Sequence, residues 1–132
     1  MLLTKPHRLL PDLTEKQDKF EEEFGEAVRN TLEITGSLME RDALRMTPAR
    51  IPVLVFKIAH SSRQLELEVE REVRCELGVK AVGPLAQQIA AIPMGSVMRL
   101  EGFLAARSAR NPNPVLHVTR YELLEQRLDE TK

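Results

Sequence analysis

The chain has 132 residues, a formal net charge of −1, 30% charged and 42% hydrophobic residues, so it predicts one domain that buries a core without a disulfide or metal staple. A single Cys excludes an internal disulfide framework and a Cys-rich zinc site, and points to a reducing, cytoplasmic setting. The near-neutral charge gives no global footprint for nucleic acid, and 4% aromatic residues with no Trp leave little for base stacking.

Residues 1–29 carry a net −2, from five basic and seven acidic side chains. Lys5, Pro6, His7 and Arg8 interrupt the apolar start, so neither a signal peptide nor, anywhere along the chain, a membrane-spanning helix is expected. From Thr14 the segment favours helix, but Phe20, Phe24, Ala27 and Val28 make only a narrow apolar face. It reads as an extension, mobile or loosely docked, with a helix packed on the domain or a partner as the alternative.

At Asn30 the pattern becomes extended. Leu32, Ile34, Gly36 and Leu38 alternate with polar residues, which predicts a half-buried first strand bent at Gly36. Residues 39–50 read as a loop. Ile51–Ser61 is rich in β-branched residues and predicts a second strand, with Pro52 near its start or on an edge. The cleanest signal runs from Leu65 to Val79. Leu65, Leu67, Val69, Val73, Cys75, Leu77 and Val79 share one face, interrupted by Arg71, and the glutamates at 66, 68, 70, 72 and 76 share the other. Such a third strand, roughly 50 Å if straight, must bend or leave the domain as part of a hairpin. Gly83-Pro84 opens a short helix with Leu85, Ile89 and Ile92 on one side, and Pro93 ends it. Ser96–Ala106 predicts a fourth strand with Gly102 inside it, Arg107–Pro114 a loop, and Val115–Leu124 a fifth strand.

Five strands with one helix between the third and fourth is the order of the OB-fold, a five-stranded Greek-key barrel. An SH3-like barrel or a fragment of a β-sandwich remain alternatives from pattern alone. The domain boundaries expected are an extension over 1–29, the OB-fold over 30–125, and a polar tail over 126–132.

The residues themselves carry a resemblance. Asn30-Thr31-Leu32-Glu33-Ile34-Thr35-Gly36-Ser37-Leu38, then Arg45-Met46-Thr47-Pro48, then Glu101-Gly102-Phe103-Leu104, resemble bacterial single-stranded-DNA-binding proteins in order and spacing. Ile51-Pro52-Val53, Phe56-Lys57-Ile58-Ala59-His60 and Val115-Leu116-His117 resemble the primosomal replication protein N (PriB) branch of that superfamily. The resemblance covers about residues 30–125. It implies a non-enzymatic, cytoplasmic homodimer of OB-folds that binds single-stranded DNA during replication restart and contacts the helicase PriA and, in some bacteria, DnaT. It implies a dimer made largely through the first strand, here Leu32, Ile34 and Leu38. It places DNA contacts on the four–five loop (Arg107, Arg110), the first loop (Arg45) and the outer end of strands two and three (Arg74), and Arg50, Lys57, Arg63 and Arg71 are added as candidates from their positions on the same loop and strands. Arg74 stands where the well-studied branch has a stacking Trp. Its guanidinium plane can still lie on a base, with a weaker platform.

Each candidate has a plainer reading. Loop arginines are commonly just solvated, Arg45 and Arg50 included. Arg71 sits on an apolar face, so its strand has left the core there or it faces DNA or a partner. Lys57 and Arg63 also suit the role of edge charges that block aggregation. The glutamate stripe reads as a solvated face that repels phosphate, or as a dock for a basic partner. His60 and His117 each stand alone, without metal-ligand spacing. Cys75 is expected as a small buried hydrophobe. No phosphate-cradling glycine motif and no Cys-His pair is present, and no cofactor or metal is expected.

Two other functions stay open: a general single-stranded-DNA-binding protein, against which the ending LEQRLDETK lacks an acidic apolar tip, and an OB-fold adaptor that binds proteins and little DNA. Residues 129–132 carry −1, so 30–128 carries +2 and is only mildly basic.

Overall fold

Gly36 marks the place where the first strand changes partners. A Cβ there would lie 2.8 Å from the Ala59 carbonyl oxygen and 2.8 Å from Ile58 Cδ1, so only glycine lets the neighbouring backbone come so close. The computed structural model describes residues 28–127, and the extension expected over 1–29 therefore lies almost wholly outside the described residues. Strand β1 (Leu32–Arg41) pairs with β5 (Val97–Ala106) from Leu32 to Ser37 and with β3 (Pro52–Glu66) from Ser37 to Arg41. That double pairing closes the sheet. Around it the order is β1, β5, β6 (Pro114–Glu125), β4 (Val69–Val82), β3, with a parallel contact between β4 and β6 at Val79–Leu116 and Lys80–His117. Five strands thus form a closed barrel with one short helix, α1 (Pro84–Ala90), between β4 and β5: the OB-fold architecture.

A further strand, β2 (Arg45–Met46), lies in the segment expected to be loop and pairs with Val53 and Pro52 on the sheet edge. Pro52 is the first residue of β3, as its missing N–H requires.

The core is the inward set of the alternating strands: Leu38, Leu54, Phe56, Ile58, Val79, Ala81, Met98, Leu100, Leu116 and Val118, capped by Ala86, Ile89 and Ile92 from α1 and its exit. Burying such side chains contributes about 1.5–3 kcal/mol each for the larger ones, before entropy is set against it. Residues expected to begin the polar tail are docked: the Arg127 N–H donates to Oγ of the buried Ser96 at 3.0 Å, and the Arg127 side chain passes over Gly95.

The Leu65–Val79 pattern is corrected. It is not one strand but the end of β3, a two-residue turn at Leu67-Glu68, and most of β4. Leu67 and Glu68 both have positive φ, 54° and 64°, which lets a two-residue turn match the twist of its strands. Alternation passes through such a turn without a visible break, so no glycine or asparagine signals it. The consequences reach every face assignment. Glu70, Glu72 and Glu76 share a face with Leu65, Arg63 and Ala59, whereas Glu66 lies with Val69 on the opposite face. No single glutamate stripe exists. Cys75, expected to be buried, is exposed opposite His60 because the hairpin has left the barrel there.

Candidate nucleic-acid interface

The outer face of β3 and β4 is flanked by two loops, residues 42–51 and 107–113, and extends over β6 onto β5. Cross-strand pairing sets its rows. One row is Val55, Lys80, His117 and Phe103, joined by the Val55–Lys80, Lys80–His117 and His117–Phe103 registers. The next contains Lys57 and Gly78, with Arg107 Nη2 3.0 Å from where a Gly78 Cβ would stand. Gly78 therefore makes a gap in which Arg107 rests. Lys57, Gly78, Arg107, Glu40 and Asp42 belong to one cleft of about 230 Å³.

The eight expected cationic residues fall into two groups. Lys57, Arg63, Arg71 and Arg74 are ion-paired with glutamates: Lys57 with Glu40 and Glu76 at 3.8 and 3.9 Å, Arg63 with Glu70 at 3.4 Å, Arg71 with Glu66 at 2.5 Å, and Arg74 with Glu72 at 3.2 Å. The Arg63–Glu70 and Arg71–Glu66 pairs bridge β3 and β4, Arg74–Glu72 lies along β4, and Lys57–Glu40 joins β3 to β1; residues 60–76 still hold five glutamates against three arginines, so the arm stays acidic. Arg71 is exposed and lies beyond the core, so its place on the apolar face costs nothing. Arg45, Arg50, Arg107 and Arg110 are exposed and have no carboxylate partner among the described residues. Arg50 ends a turn with φ 66°, held by its N–H to the Thr47 carbonyl oxygen at 2.8 Å. The 107–113 loop is stiff for its length: the Arg107 N–H donates to the Asn113 carbonyl oxygen at 2.9 Å, and the Ser108 hydroxyl accepts from the N–H groups of Arg110 and Asn111.

Three residues that the sequence did not single out as site residues join this face. Lys80 is the cross-strand neighbour of His117, and the Phe103 and His117 rings stack with centroids 5.2 Å apart and planes at 16°. Burial, and then the nearby Lys80 charge, hold the His117 imidazole below its usual pKa. His117 was expected to stand alone, and only the β5–β6 register brings it against Phe103. His60 is structural. Its Nδ1 donates to the Thr35 carbonyl oxygen at 2.7 Å, and Nε2 lies 2.9 Å from the Ser62 hydroxyl.

The expected dimer residues differ in burial: Leu32 and Ile34 are half-buried and Leu38 is buried. Leu38 is 1% exposed in the core of its own barrel, and Leu32 and Ile34 pack against that core. What β1 leaves open is its backbone edge: from Leu32 to Gly36 it pairs on one side only, with β5, among the described residues.

Residues 30–120 match a family model described as a single-strand binding protein family. The chain is 35% identical over 89 residues to the replication restart protein PriB of Bordetella pertussis, covering 67% of this chain and 83% of that protein. It is 31% identical over 99 residues to PriB of Photorhabdus laumondii, covering 73% and 94%. A PriB structure from Ralstonia solanacearum superposes with a TM-score of 0.66 at 28% identity, over 73% of this chain and 98% of that one. The single-stranded DNA binding protein of Thermus aquaticus shares the fold, with a TM-score of 0.60 at 22% identity, over 74% and 50%.

Proposed function

The chain belongs to the single-strand-binding protein family, in its replication restart protein PriB branch, and from that premise we propose that it is a non-enzymatic accessory protein of replication restart that binds single-stranded DNA on the outer face of β3 and β4. One observation carries the placement. Arg45 on β2, Arg50 after it, and Arg107 and Arg110 on the 107–113 loop are exposed, have no carboxylate partner among the described residues, and lie in the two segments that flank this face. A guanidinium free of carboxylate offers its whole fork of donors to phosphate, while a paired one must first give up its partner. Lys57, Arg63 and Arg74 are secondary contacts on this face that exchange a glutamate for a phosphate, and Arg71, on the opposite face of the hairpin, can reach a strand only by wrapping past its edge. The OB-fold itself presents strands two and three and these two loops to oligonucleotides.

Each phosphate neutralised releases condensed counterions, so log K against log salt should fall by about 0.7 per contact on a single strand. Fluorescence anisotropy with labelled oligo(dT) over a salt series measures this. A steep slope, made shallower when Arg107 and Arg110 are both replaced by Ala, is the expected result. A flat slope overturns the mechanism.

In this reading the domain spans residues 30–125, with 1–29 as an extension and 126–132 as a polar tail whose start is anchored by Arg127 on Ser96. We assign the protein to the cytoplasm as a homodimer paired through the open β1 edge, in the manner of strand addition. Contact with a PriA-type helicase, and with DnaT where it occurs, is favoured by the β3–β4 hairpin tip, where Leu65, Leu67 and Val69 are 73%, 93% and 63% exposed. The same tip supports the second reading, an adaptor with little DNA binding. Comparing affinity for oligo(dT) with affinity for purified helicase separates the two.

A further inference from the structure

Phe103 is the most exposed phenylalanine or tyrosine among the described residues, at 40%, whereas Phe56 is 3% exposed and Tyr121 packs against the core. Its place on β5 is not needed for the core, which Leu100 and Met98 fill from the same strand. Its ring is backed by the His117 imidazole in a near-parallel stack. That backing depends on a bulge. The β5–β6 register shifts between Glu101 and Gly102, leaving Thr119 unpaired and bringing His117 rather than Val118 opposite Phe103. Thr119 Oγ donates to the Glu101 carbonyl oxygen at 3.1 Å and holds the bulge. Lys80 adjoins His117 in the same row, and Arg107 rests over Gly78 in the neighbouring one.

We infer that the Phe103–His117 stack is the platform on which the bound strand lays a nucleobase, with Lys80 and Arg107 on the adjoining phosphates. This rests on the single-stranded-DNA reading above and adds to it the base-contacting site. The argument is one of chemistry and geometry. Every base has a π-face, an aromatic pre-positioned by a second ring loses little freedom when a base arrives, and cations beside it fit the sugar–phosphate repeat. Aromatic stacking then comes from β5 and β6, while the β4 arm bears ion-paired arginines.

The chain contains no Trp, so Phe103→Trp places a single fluorescent reporter in the platform. We expect oligo(dT) to quench it, and an abasic oligonucleotide of equal length to leave it unquenched. Phe103→Ala should lose about tenfold in oligo(dT) affinity with an unchanged salt slope, because a base contact goes and no phosphate contact does. The abasic strand should bind wild type and Phe103→Ala equally. Circular dichroism confirms that both variants fold. Equal oligo(dT) affinity for wild type and Phe103→Ala, or equal quenching by the abasic strand, overturns the proposal. So does loss of helicase binding with DNA affinity kept, which would make Phe103 a protein contact. Wild-type protein that binds no oligo(dT) overturns both this site and the reading beneath it.

Discussion

Arg41 on β1 donates from Nη1 to the Ile89 carbonyl oxygen at 3.0 Å, closing the C-terminal end of α1 from a strand 48 residues away in sequence. The same nitrogen reaches the Ile92 carbonyl oxygen at 2.5 Å. The helix has no basic residue in its own last turn, so this guanidinium supplies both the donor and the positive charge that the exposed carbonyls favour. Arg41→Met keeps an apolar stem and removes the donors. It should cost about 1.5–3 kcal/mol in denaturant unfolding, since a charged hydrogen bond to part-buried carbonyls is lost. An unchanged midpoint would show that water replaces the guanidinium without penalty.

Gly102 leaves no room at all. A Cβ there would stand 1.9 Å from the His117 carbonyl oxygen and 2.8 Å from the His117 carbonyl carbon, both backbone atoms. Gly102→Ala must move the β5–β6 ladder, and should destabilise by about 3 kcal/mol or more, at the severe end for a single substitution. Thermal unfolding measures it, and the Phe103–His117 stack should be lost with the register.

The β3–β4 turn is strained. Leu67 and Glu68 occupy left-handed backbone, where a non-glycine residue costs about 1–2 kcal/mol. Replacing the pair by Asn-Gly should raise stability by about 1–2 kcal/mol, because that dipeptide adopts the required dihedral angles. The same change removes Leu67, the most exposed large apolar side chain among the described residues, so the proposed helicase contact should weaken while oligonucleotide binding stays.

His117 gives a pH dependence with a definite sign. Its folded-state pKa lies below the ordinary imidazole value of about 6.5, through burial first and the Lys80 charge second. Between those two pKa values the unfolded chain binds the proton more readily, so stability is full above about pH 6.5 and declines as pH falls below it. Lys80→Gln should lessen that decline by removing the positive neighbour. Denaturant midpoints from pH 8 to pH 5 provide the comparison, and identical slopes for wild type and variant would assign the decline to other groups.

Local chemistry alone determined most of the architecture. Alternation defines the strands, Pro84 and Pro93 bound the helix, and Gly36 and Gly102 mark where backbones approach, because these are properties of neighbouring residues and backbone sterics. The turn residues around Arg50, Arg107 and Arg110 marked their loops for the same reason, whereas the β2 strand that carries Arg45 was read as loop. Only the tertiary structure decided the rest. A two-residue turn leaves period-2 alternation unbroken, so Leu67-Glu68 was hidden and with it the faces of Glu66, Glu70 and Cys75. Whether an arginine is committed to a glutamate depends on cross-strand register, as for Arg63 with Glu70. The aromatic poverty of the chain also changed meaning. A bulge between Glu101 and Gly102 brings a phenylalanine and a histidine 14 residues apart into one stack, a contact that the sequence order of 103 and 117 does not encode.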